Sequence, residues 1–168
     1  NEPPCKFETG TQNHEGIVGT GATVDFLASL AGGIEAALSP DAPSRRSRLA
    51  TTFAELHARG QGLVEQLWTG LAMLPGVTLF GPPPDQPRTP TVSFTVRGHP
   101  AVDVARHLAA RGVFVSHGDF YASTIVKLLG QSEAGVVRAG CACYTAPDEV
   151  ERLLAGVAEL ASADHPSH

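Results

Sequence analysis

The chain has 168 residues, 42% of them hydrophobic and 17% charged, enough for one domain with a real core and marginal for two. A formal net charge of −5, without basic runs interleaved with aromatics, argues against nucleic acid or an anionic membrane as partner. No stretch approaches the roughly 18 apolar residues of a membrane span, and the polar, proline-rich opening residues carry no signal-peptide pattern. Three cysteines, Cys5, Cys141 and Cys143, form an odd set without C-x-x-C spacing. No disulfide framework is expected, and a reducing cytoplasm is the expected compartment. His14, His57, His99 and His107 show no ligand spacing, so no metal site is expected.

Taken in chain order, apolar residues recur at helical spacing from Ile17 to Leu38, through Val24, Leu27, Leu30, Ala31 and Ile34. Gly16, Gly19 and Gly21 at its front suggest a close approach of backbone to another group, since glycine weakens a helix by ~1 kcal/mol per position. The run Ser39-Pro40-Asp41-Ala42-Pro43 ends it. A second helix is expected from Ser44 to Leu74, with Leu49, Phe53, Leu56, Leu63, Leu67, Leu71 and Leu74 on one stripe and Gly60 and Gly62 as a weak point. Its opening Arg45-Arg46-Ser47-Arg48 reads as a solvated first turn, and Trp68 falls on the buried stripe.

After Pro75-Gly76 the period changes. Val77, Leu79 and Phe80 read as a short strand, and residues 91–96 alternate, with Val92, Phe94 and Val96 on one face. A helix carrying Val104, Ala105, Leu108 and Ala109 ends at Arg111-Gly112. Val113-Phe114-Val115 reads as a buried strand, residues 119–129 as a short helix, and Val136 to Tyr144 as a strand holding Cys141-x-Cys143. In the last helix Thr145 is expected as cap with Asp148 at the third position, ahead of Val150, Leu153, Leu154, Val157 and Leu160. The tail from Ser162 should fray. Two helices followed by interleaved strands and helices define an α/β chain: a mixed sheet with helices packed on it.

Three segments carry candidate chemistry. Arg138 stands inside the apolar, small-residue run Gly135–Gly140, where a cation must face water or pair with an anion. Two readings stand: a planar fork gripping a ligand carboxylate, or a salt bridge to an acidic residue of a neighbouring helix. The opening stretch "FETGTQNHEG" offers the Thr9 and Thr11 hydroxyls before a helix start, suited to a phosphate or simply to a capped turn. Ser116-His117-Gly118-Asp119 is a ligand-contacting loop or a polar turn; residues so close in sequence cannot converge as a nucleophilic triad.

Together these segments resemble the C-terminal part of the class V aminotransferases, the pyridoxal-phosphate fold-type I group that includes cysteine desulfurases. "KFETGTQNHEGIVGTGATVDFLASLAG" is similar to the stretch ending that family's large domain, and "GVVRAGCACYTAPDEVERLLAGVAEL" to its closing strand and helix. "RTPTVSF" and "LAARGVFVSHGDFYA" fit the small domain of the desulfurase-like subfamily. The resemblance covers nearly the whole chain. It implies that residues 1–43 end a large cofactor-binding domain, 44–74 form a long connecting helix, and 75–168 form the C-terminal small α/β domain. It further implies an amino-acid substrate and a homodimer with a shared cofactor site. Thr11, with Gly10, would reach the cofactor phosphate of the partner subunit, Arg138 would bind the substrate carboxylate, and His117 to Tyr121 would lie in the loop near the substrate entrance.

The chain departs from the family pattern in three places. Neither Lys6 nor Lys127 stands where the resemblance places the Schiff-base lysine, so no catalytic residue is assigned and this stretch alone is expected to be inactive. No cysteine lies between Ser116 and Arg138, where desulfurases carry their nucleophile, and Tyr144-Thr145-Ala146 replaces the usual Tyr-Asn-Thr. The rival reading is a non-catalytic α/β module for dimerisation or ligand binding.

Overall fold

A computed structural model describes residues 2–3, 5–7, 10–33 and 39–163. The chain divides into two compact units, Asn1–Leu56 and His57–His168. In the first, a 3-10 turn at Cys5–Phe7 precedes α1 (His14–Leu30). The Asn13 side chain caps α1 by accepting the Gly16 N–H at 2.8 Å. Ala28 is buried, with Val24 and Leu27 half-buried beside it; Ile34 and Leu38, expected on the same stripe, lie outside the described residues. A Cβ at Gly16 would stand 2.9 Å from the capping Asn13 side chain, whereas one at Gly19 or Gly21 would meet nothing within 4 Å, so of the three the close approach expected is found, among the described residues, at Gly16 alone.

Ser44 starts α2 (Arg45–Ala72) by accepting the Ser47 N–H at 3.2 Å. Arg45 pairs with Asp25 at 3.3 Å in an exposed contact, and the buried Thr52 hydroxyl donates to the Leu27 carbonyl at 2.9 Å. The helix runs 28 residues, about 42 Å at 1.5 Å per residue. It passes through Gly60 and Gly62 unbroken. Gly60 is needed elsewhere: a Cβ there would sit 3.2 Å from the Pro90 side chain.

The second unit is built on a four-stranded sheet in the order β1-β2-β4-β3, from β1 (Val77–Phe80), β2 (Thr91–Val96), β3 (Ser116–Gly118) and β4 (Val136–Gly140). Every pairing is antiparallel, which corrects the mixed sheet expected. β2 and β3 run in the same direction, joined through α3 (Ala101–Ala109), but β4 enters antiparallel between them, so they never pair. Val92, Phe94 and Val96 of β2 and Val137 and Ala139 of β4 turn to one face. Leu63, Val64, Leu67 and Leu71 of α2, Val104 and Leu108 of α3, and Val150, Leu153 and Val157 of α5 (Pro147–Ala163) join them in one core.

The expected strand Val113–Val115 is replaced by irregular chain, with strand structure beginning only at Ser116. The cause is the end of α3. Gly112 takes φ 72°, and the Val113 N–H returns to the Leu108 carbonyl at 3.1 Å, so its donor is spent on closing the helix. Phe114 is 86% exposed rather than buried. The short helix over 119–129 contracts to α4 (Ser123–Leu128). β4 stops at Gly140, short of Tyr144, because Ala142 and Thr145 close a turn: Ala142 N–H donates to Thr145 Oγ1 at 2.9 Å. Thr145 is thereby taken from the capping role expected of it. At α5 the Glu149 carboxylate, not Asp148, accepts the Ala146 N–H at 2.8 Å, with Pro147 opening the helix. The helix continues to Ala163, past the expected fraying point.

Two predictions follow from this packing. Phe94 is fully buried at the centre of β2, opposite Leu79 and Val137. Phe94→Ala is expected to cost about 3–5 kcal/mol of unfolding free energy in urea titration. The second concerns Glu159, which joins α5 to the end of α3 by accepting from Arg111, with His107 Nε2 at 3.2 Å. The Arg111 hydrogen bond, reinforced by the charges of Arg111 and His107, holds the Glu159 carboxyl below its ordinary range. A carboxylate with a depressed folded value stabilises above its unfolded value, about 4.3 for glutamate, and loses that contribution as pH falls through it toward the folded value. Glu159→Gln should therefore melt lower than the parent at neutral pH, and the difference should shrink as melting is measured at progressively lower pH.

Candidate functional site

Burial of Val137 and Ala139 forces the residue between them outward, since strand side chains alternate. Arg138 is therefore exposed on the face of the sheet away from the core. The register places Ser93 of β2 on one side of it and Ser116 of β3 on the other. The three side chains share one polar face, and a groove of about 440 Å³ opens there, lined among others by Thr89, Thr91, Phe114, Ser116 and Arg138. The guanidinium carbon lies 4.1 Å from the Phe120 ring centroid. Among the described residues no carboxylate pairs with it.

Phe120 belongs to the turn Asp119–Ala122. The Ala122 N–H donates to the Asp119 carbonyl at 2.8 Å, and the Tyr121 N–H to Asp119 Oδ1 at 3.2 Å. Both central residues have positive φ, 55° at Phe120 and 59° at Tyr121. This is the mirror-image geometry usually given to Asn-Gly, and it is costly for bulky side chains. Tyr121 projects fully into solvent.

The expected site residues are distributed as follows. His117 pairs with Val137, so the alternation assigns it to the sheet face opposite Arg138, at the edge and exposed. Ser116 takes the place beside the arginine. Gly10 and Thr11 belong to the first unit, in an exposed bend ahead of the Asn13 cap; Thr9 lies outside the described residues. Among the described residues nothing hydrogen-bonds the Thr11 hydroxyl, which leaves it open to an incoming oxyanion. Asn13 already satisfies the Gly16 N–H. The Thr11 hydroxyl is one side-chain donor that could meet a phosphate oxygen there. Lys6 lies in the 3-10 turn with its ammonium 5.6 Å from the Phe7 ring centroid, and Lys127 lies in the last turn of α4.

The sequence marks Ser116 only as part of the Ser116–Asp119 segment and Phe120 only as part of the stretch from His117 to Tyr121, without placing either against Arg138. Strand alternation names Ser116 once the β3–β4 register is known; the Phe120 contact joins two separate segments and leaves no local pattern. A second cavity, about 340 Å³, lies beside the end of β4, lined by Val113, Cys141, Tyr144, Thr145 and Leu153 among others. Burial pushes the Cys141 thiol above its ordinary pKa, and Cys143 sits exposed in the turn that follows. Neither cysteine is on a strand, correcting the alternation expected for them.

A helix-backed antiparallel sheet presenting an arginine from its polar face, preceded by a helical unit and a long helix, is the C-terminal architecture of the pyridoxal-phosphate fold-type I enzymes. The family described as aminotransferase class-V matches residues 48–153, and the chain belongs to that family. A probable cysteine desulfurase of Xylella fastidiosa (strain 9a5c) is 29% identical over 160 residues, covering 95% of this chain and 32% of the relative. A cysteine desulfurase of Salmonella agona (strain SL483) is 29% identical over 157 residues, covering 94% of this chain and 32% of its own length. The apo structure of a cysteine desulfurase from Thermococcus onnurineus NA1 superposes with TM-score 0.75 at 28% identity, covering 97% of this chain and 35% of that one. The fold is also that of the S-sulfonic acid form of the Escherichia coli cysteine desulfurase CsdA, with TM-score 0.72 at 21% identity over 97% of this chain and 34% of the other. The chain thus spans about a third of the length of the curated relatives it matches. Class V aminotransferases and cysteine desulfurases are pyridoxal-phosphate dependent. No helix among the described residues is long and apolar enough to cross a membrane.

The contrast between the two cysteines is testable. Limited alkylation with iodoacetamide at neutral pH, read by peptide mass spectrometry, should label Cys143 well before Cys141, because burial both shields the Cys141 sulfur and raises its pKa, whereas Cys143 is exposed.

Proposed function

We propose that this chain is the C-terminal, substrate-facing part of a pyridoxal-phosphate-dependent enzyme acting on an amino acid, working as a cytoplasmic homodimer. The observation that carries the reading is the Arg138 guanidinium, free of any acidic partner among the described residues, set between Ser93 and Ser116 over an open groove. A planar fork of N–H donors on a polar sheet face is suited to the α-carboxylate of an amino acid, which it meets in two parallel charge-assisted bonds. Ser116 and Ser93 add hydroxyls on the same face, whereas His117 belongs to the opposite face of the sheet edge.

Thr11 and Gly10 would hold the cofactor phosphate, the Thr11 hydroxyl donating to it in a site shared with the partner subunit. When bound, the cofactor supplies an electron sink for carbanionic character at the substrate α-carbon. Neither lysine of this chain is assigned the imine-forming role; that group is expected on polypeptide outside the stretch described here. The loop from Ser116 to Arg138 contains no cysteine, and burial holds Cys141 in its less reactive protonated form. We therefore read the reaction as one without a protein thiol nucleophile from this loop, which favours transamination or elimination over sulfur transfer.

In the full-length polypeptide, Arg138→Ala is expected to raise KM for amino-acid substrates about 10- to 100-fold while leaving pyridoxal-phosphate content, read from the imine absorbance after desalting, unchanged. Unaltered amino-acid kinetics would remove the carboxylate role. A full-length protein that retains no imine absorbance would favour the non-catalytic module instead.

A further inference from the structure

We infer that Phe120 is the positioning residue for Arg138, holding the guanidinium ready for a carboxylate; this rests on the carboxylate-binding role proposed above. An arginine on an open sheet face has several rotatable bonds, and no acidic side chain among the described residues restrains this one. Ordering such a side chain only when ligand arrives weakens binding. The restraint present is the Phe120 ring, 4.1 Å from the guanidinium carbon. Contact over a ring face engages the cation's π surface and uses none of its N–H donors. The in-plane fork stays free, as bidentate carboxylate binding requires. A carboxylate from the protein would have restrained the cation equally well and blocked it.

The backbone is shaped for this contact at a cost. Phe120 and Tyr121 occupy consecutive left-handed positions that asparagine or glycine would fill with less strain. The turn is anchored by Asp119 through both its carbonyl and its side chain. It is also kept close to β4: a Cβ at Gly135 would stand 3.1 Å from the Gly118 backbone, and both glycines have positive φ, 68° and 117°. Close approach of the end of β3 to the start of β4 brings the turn over the arginine three residues along β4. A bulky aromatic in an unfavourable conformation, directed at a cation without an acidic partner, is explained by what the ring does to that cation.

The test uses sodium propionate as a carboxylate probe and phenylglyoxal as the arginine reagent, on the full-length polypeptide, with adducts quantified by peptide mass spectrometry. Propionate is expected to protect Arg138 saturably and to leave the exposed Arg97 and Arg106 unprotected. Phe120→Asn keeps a residue at home in the left-handed turn and removes the ring. It should raise the half-protecting propionate concentration about threefold to tenfold. Phe120→Leu, which keeps bulk without a π face, should do the same, and Phe120→Tyr should restore the parent value. Circular dichroism checks that each variant is folded, and the Leu variant serves if the Asn variant is not. Equal protection in parent, Asn and Leu proteins would overturn the positioning role while leaving Arg138 as the clamp. Absence of protection at Arg138 in the parent would overturn the clamp, and the positioning role with it.

Discussion

Val137 and Ala139 are buried on either side of Arg138, and the rest of the site depends on that alternation. Because strand side chains have period two, a slip of one residue in the β2–β4 pairing would send the guanidinium into the core and the two apolar residues into water. The register is held by Phe94, paired with Val137 and fully buried, and by Val92 opposite Ala139. The helices that cover this face, α3, α5 and the C-terminal part of α2, therefore act on the chemistry without touching it. Their apolar stripes decide which side of β4 is wet, and so which side carries the arginine.

The insertion of β4 between β2 and β3 has a second consequence. It puts residues from three separate stretches, Ser93, Ser116 and Arg138, side by side on one face. Strand β3 is only three residues long and lies at the sheet edge. The closing turn of α3 consumes the Val113 N–H ahead of it, and the β3–β4 register makes Ser116 rather than His117 the arginine's neighbour. The chain beyond β3 turns sharply through Phe120 and Tyr121 and lays an aromatic ring on the guanidinium.

The family assignment fixes the fold, and the local structure adds an arginine without an acidic partner among the described residues. The curated relatives are described as cysteine desulfurases, whereas the stretch from Ser116 to Arg138 here has an aromatic pair, Phe120-Tyr121, and no cysteine. A fold of this kind supports more than one outcome at the substrate, and side chains at its rim choose among them.

Much of the element order was legible without coordinates: two helices, then strand, strand, helix, strand, short helix, strand, helix. Each is announced by a local periodicity or by punctuation such as Pro75-Gly76 and Arg111-Gly112. Arg138 was legible too, because a cation in a small apolar strand is anomalous by itself. What tertiary structure alone decided was partnership. The antiparallel sheet, the choice of Ser116 over His117, the diversion of Thr145 from cap to turn, and the ring over the guanidinium are settled by hydrogen bonds and contacts between segments. Periodicity reports which way a side chain faces relative to its own element, a local property of backbone geometry. Which neighbour it then meets depends on strand order and register, which come from burying several elements together.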